Sequence, residues 1–186
     1  MLPFQPDSYG SQVAGILSPG EAGGGMRPMD LFPRGCSDEA VRSQLATAQA
    51  SQLFPAARDP QAALAGLYLY FSCLNEAHEI AQNLDNSEGM YWHAILHRME
   101  GDIGNSRYWF HRISSHPVYP LLRHEAELLG YRTSARWDPS AFAGFCESAP
   151  GTKNEDLAKR VQLAEWQLLF DYCAAPAADE DRAASV

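Results

Sequence analysis

The feature that most constrains this chain is its punctuation: residues that start and stop helices recur at short intervals through its middle. Ser37 precedes Asp38 and Glu39, an N-cap followed by acids that suit the positive end of a helix. Asp59-Pro60 and Asp138-Pro139 each set a capping acid before a proline at the first helical position. Asn86 or Ser87 caps a helix that runs to Gly101, and Gly130 closes another. Between these marks apolar residues fall at helical spacing, as in Val41, Leu45 and Ala48, or Leu157, Val161, Ala164, Leu168 and Tyr172. Val, Ile and Thr total only 13 residues against 27 Ala and 19 Leu, too few β-branched residues to fill a sheet. The expectation is an all-α domain of seven or eight helices over residues 37–175, built from antiparallel hairpins.

The two ends read differently. Residues 1–36 hold 7 of the 14 glycines and 5 of the 12 prolines, so this segment is expected to be extended, with Leu31 and Phe32 as its docking points. Residues 176–186 form a polar tail with Asp179, Glu180 and Asp181. The chain shows no secretory signal and no apolar window long enough to span a bilayer, and the expected compartment is the reducing cytoplasm. Its four cysteines form no C-x-x-C pair. Cys73, Cys146 and Cys173 fall inside apolar helical patterns and read as reduced, buried thiols. A net charge of −9 argues against nucleic acid or an anionic membrane as partner.

An internal repeat supports the hairpins. Leu64-Ala65-x-x-Tyr68 followed by Ala77 matches His93-Ala94-x-x-His97 followed by Ser106, each offset being 29 residues. Small residues at paired positions let two helices approach closely. With Gly101-Asp102 between the helices and Pro117 after them, the pattern resembles tetratricopeptide repeats, although the period is shorter than their usual ~34 residues.

The chemistry concentrates in Tyr91–Pro117, which holds four of the six histidines, two of the four tryptophans and Arg98, Arg107 and Arg112. At about 100° per residue, His93, His97 and Glu100 share one narrow stripe of a helix. Asn105, Trp109 and Arg112 share a stripe of the next helix, and the turn at 101–104 folds the two together. Three readings follow. In the first, His93 and His97 ligate a metal with Glu100 or His111, although neither the zincin motif nor an E-x-x-H is present. In the second, Arg98 or Arg112 holds a carboxylate or phosphate against a wall of Trp92 or Trp109. In the third, the repeat places His93 and His97 at core positions as structural histidines with internal partners. Arg98 and Arg112 are costly to bury unpaired, and Glu100 and Asp102 are the nearest acids in sequence. His78 and His124 read as isolated and exposed, and Trp166 as core or a partner face. No phosphate-binding or dinucleotide fingerprint occurs, so no cofactor is expected.

The stretch Trp92, His93, His97, Arg98, Glu100, Asp102, Asn105, Tyr108, Trp109, Arg112, His116 and Pro117 resembles the core motif of a family of helical proteins to which no activity is attached. Glu165-Trp166, then Leu169-Phe170 and Cys173, is similar to that family's last helix. The resemblance implies that these polar residues belong to one site. The leading expectation is a binding or scaffold module. Its polar-aromatic pocket would take a small anionic molecule or a peptide, using Trp92, His93, His97, Arg98, Glu100, Asn105, Tyr108, Trp109, Arg112 and His116. The alternative is a hydrolase or metal-dependent enzyme using His93, His97 and Glu100.

Overall fold

The computed structural model describes residues 5–18 and 26–176. Within them lie a 3-10 turn, Pro6–Tyr9, and ten α-helices, with no strand among the described residues. The helices are α1 (Ser11–Leu17), α2 (Glu39–Ala46), α3 (Ala50–Leu53), α4 (Pro60–Tyr70), α5 (Leu74–Ala81), α6 (Ser87–Glu100), α7 (Ile103–Arg112), α8 (Tyr119–Leu129), α9 (Pro139–Ser148) and α10 (Glu155–Ala174). The fold is all-α in a single domain.

The sequence's stop and start signals act as chemistry says they should. Asp59, Asn86 and Asp138 each accept the backbone N–H three residues on, satisfying an otherwise orphaned first-turn donor. Asp102 caps α7 in the same way, accepting from the Asn105 N–H. Asp38, not Ser37, caps α2, and Ser37 instead donates to the Phe71 carbonyl at the end of α4. Gly101 and Gly130 adopt φ of 82° and 100°, the left-handed conformation that closes a helix. The helical spacing of Val41, Leu45 and Ala48 is interrupted after α2, where Thr47 turns its hydroxyl back to the Gln44 carbonyl before the short α3.

α4 packs on α5, α5 on α6, and α6 on α7, so consecutive helices are neighbours. Ala65, Ala77, Ala94 and Ser106, the small residues of the 29-residue offset, are all fully buried. α10 then braces α4, α8 and α9, and every residue from 161 to 170 on it is buried. Trp166 is therefore core; its indole N–H donates to the Gly66 carbonyl at 2.7 Å. A Cβ on Gly66 would lie 2.8 Å from the Trp92 ring, which is why this crossing needs glycine.

Two expectations are corrected. The start of the chain is not simply extended: α1 buries Val13, Ile16 and Leu17, and Met29 and Leu31 join the same core. Val13, Ile16 and Leu17 make an i, i+3, i+4 stripe that the surrounding glycines and prolines obscure. Tyr9 also packs its ring on Phe170 and donates its hydroxyl to the Asp171 carboxylate. Gly23-Gly24-Gly25, and the polar tail from residue 177 on, lie outside the described residues. Nor are Cys73, Cys146 and Cys173 all reduced. Cys36 is joined to Cys73 by a disulfide, and only Cys146 and Cys173 are free buried thiols. The returning N-terminal segment brings Cys36 over the end of α4, a pairing that no spacing reveals. The bridge also removes the thiol argument for a reducing compartment. No helix among the described residues is long and apolar enough to cross a membrane.

Candidate functional site

Tyr91–Pro117 does not form one site; α6 and α7 distribute its residues over three places. The first is the interior. Trp92 and Arg98 have no exposed surface. Arg98 Nη2 donates to Glu165 Oε2 on α10, and the Tyr91 hydroxyl donates to Glu165 Oε1 at 3.0 Å. The guanidinium carbon lies 4.9 Å from the centre of the Phe142 ring. Burial pulls the Arg98 pKa down, but the Glu165 carboxylate outweighs it and the net shift is upward. The partner of Arg98 is thus an acid 67 residues away and not Glu100 or Asp102. Among an apolar run from Leu163 to Phe170, Glu165 is the one acid, and a buried acid calls for a buried cation.

The second place is a histidine cluster. His93 and His97, one turn apart on α6, stack with ring centres 4.6 Å apart. His78 on α5 completes the group, with its Nε2 2.9 Å from His93 Nε2. His78 is half-buried and neither isolated nor exposed, because α5 lies against α6 and brings it to the stripe of the other two. The α7 stripe converges on the same group as its spacing predicts. The Asn105 amide lies 3.1 Å from His97 Nε2, and the Trp109 ring stacks on His93 at 4.3 Å. Glu100 Oε2 is 3.0 Å from His97 Nδ1. Burial, followed by the neighbouring imidazoles of His97 and His78, lowers the His93 pKa to about 4. Burial also lowers that of His97, against the opposing pull of Glu100. His93 and His97 are thus neutral imidazoles near neutral pH, each with one nitrogen carrying a lone pair. Further out on α7, Arg112 is exposed, stacked 5.3 Å from the Trp109 ring and donating to the Tyr108 hydroxyl at 3.1 Å. It meets no carboxylate among the described residues. Tyr108 is 54 % exposed, so this pair forms a surface ledge and not a pocket wall.

The third place is a cavity of about 720 Å³ between the end of α7 and the starts of α8 and α9. His116 reaches it, alone among the residues expected to bind ligand. Its aromatic wall is Phe110, Tyr119 and Trp137; the imidazoles of His111 and His116 and the guanidiniums of Arg136 and of Arg123, itself paired with Glu127 at 2.9 Å, also line it, and no carboxylate is among its lining residues. The Tyr119 hydroxyl, the Trp137 indole N–H and His116 Nε2 are buried without hydrogen-bond partners. The Glu88 carboxylate stands 3.8 Å from His116 Nε2, too far to bond, and burial lowers the His116 pKa to about 4. The sequence reading missed Arg123, Arg136, Tyr119 and Trp137. They come from helix starts and a loop, with no periodicity to gather them.

No family model, curated protein or solved structure matches the chain. The three places are therefore read from their own geometry.

Proposed function

We propose that this protein is a binding module, built on irregular tetratricopeptide-like hairpins, that holds a small organic anion in the cavity between α7, α8 and α9. One observation carries the reading: a cavity of about 720 Å³ lined by two arginines, two histidines and three aromatic rings but by no acid, in a chain of net charge −9. That volume lies in the usual range for small-molecule sites. The start of α8, which has no side-chain cap, adds the positive end of a helix to the same wall. Arg98 and Arg112, the anion clamps expected from sequence, take no part in it. Nor do His93, His97 and Glu100, the residues an enzyme reading would use.

The test uses an aromatic sulfonate, 8-anilino-1-naphthalenesulfonate, followed by its fluorescence. One equivalent should bind, and Arg136→Glu should weaken it about tenfold or more while leaving the melting temperature within a degree or two. Equal binding by the wild type and Arg136→Glu would overturn the reading.

A further inference from the structure

We infer that His78, His93 and His97 form a three-histidine site for a divalent transition-metal ion, of the zinc type. This goes beyond the anion cavity and is independent of it. One ligand nitrogen from each ring can be chosen so that all three lie within 4.8 Å of one another. A zinc ion bonds imidazole nitrogen at ~2.0–2.1 Å, so three ligands around it stand a little over 3 Å apart, and small side-chain adjustments bring this set to that spacing. Three imidazoles and no thiolate select zinc, copper, nickel or cobalt over magnesium or calcium, which want oxygen.

The surroundings match what a metal-bound histidine requires. Glu100 Oε2 lies 3.0 Å from His97 Nδ1, the carboxylate–histidine arrangement that fixes the tautomer and presents Nε2 to the ion. The lone pair at that Nε2 now meets the Asn105 amide at 3.1 Å, and loading exchanges this hydrogen bond for a coordinate bond. Trp109, stacked on His93, holds that ring in place. His93 is 95 % buried, yet its Nδ1 has no partner. The first hairpin has Leu64 and Tyr68 at the positions of His93 and His97, so the fold alone does not demand imidazole there. Three protein ligands leave a fourth position to water. Glu100, beside His97, also lines a surface cleft of about 420 Å³.

The experiment uses the full chain, purified without a histidine tag and stripped with a chelator. Isothermal titration with Zn²⁺ should give one equivalent, and Co²⁺ should give the intense visible bands of a four-coordinate site. His78→Gln, at a half-buried position, should keep the circular dichroism and melting curve of the unloaded protein while weakening Zn²⁺ by about 100-fold. Glu100→Gln should weaken it about 10-fold to 100-fold. Arg136→Glu should leave it unchanged, so failure here and failure of the anion cavity are told apart. Zn²⁺ binding that His78→Gln leaves intact, or no binding by the wild type, overturns the inference. If His78→Gln does not fold, His78→Asn replaces it, and the Co²⁺ spectrum of the wild type decides by itself: weak octahedral bands overturn the site.

Discussion

His97 and Arg98 are consecutive residues, and they face opposite kinds of surroundings. Arg98 points to α10, where Glu165 and Tyr91 close around its charge. His97 points to α5 and α7, where it meets the rings of His78 and His93, the Asn105 amide and the Glu100 carboxylate. One face of α6 is an ion pair whose opposite charges meet within the chain, although Arg98 Nε and Nη1 are buried without hydrogen-bond partners; the other is a group of three imidazoles in which His93 Nδ1 has no partner. The lesson is that polarity in a helix does not announce function. A completed pair contributes to a unique core, whereas an incomplete set is where a ligand changes the energy.

The sharpest way to break this comparison is to open the completed pair. Glu165→Ala strands a buried guanidinium and should cost about 3–5 kcal/mol in chemical denaturation. A loss under about 1 kcal/mol would mean that the pair is not sealed. The next effect comes from His116, which packs on Tyr91 at the edge of the sealed face, ring centres 5.1 Å apart. Its folded pKa of about 4 lies below the ordinary 6.5, so the unfolded chain takes the proton first as pH falls. The stability that His116 contributes is complete above pH 6.5 and should fall by about 3 kcal/mol by pH 4, alongside a loss of the same sign from His93 and an opposing gain from Asp171, whose carboxyl burial raises to about 6. His116→Gln should flatten that slope, and an unchanged slope would locate the acid sensitivity elsewhere. The smallest effect belongs to Arg112. Exposed and without a carboxylate partner, it should tolerate Arg112→Gln within about 0.5 kcal/mol, and a larger loss would show that the ledge on Trp109 supports the histidine cluster.

Local signals were the legible part of this sequence. Caps at Asp59, Asn86 and Asp138 and closures at Gly101 and Gly130 depend on neighbours three or four residues away, and each acts as its type dictates. The meeting of the two stripes, His97 with Asn105 and His93 with Trp109, was legible too, because one tight turn joins their helices. What escaped involves distance along the chain. Glu165 reaches Arg98 across 67 residues, and Cys36 reaches Cys73 across 37. Tyr119 and Trp137 meet at a cavity through loop geometry that has no period. His78 was hidden for another reason: α5 repeats the pattern of an ordinary surface helix, and only its seat against α6 gives that imidazole companions.

The burial of residues 161–170 of α10 on all sides also sets an order of events during synthesis. A ribosome delivers α4, α8 and α9 before the helix that braces them, and Arg98 before the carboxylate that neutralises it. Until residues 161–170 have left the exit tunnel, the earlier helices hold an open trough of apolar surface with an unpaired arginine in its wall. This chain therefore completes its core after translation of α10 and not progressively.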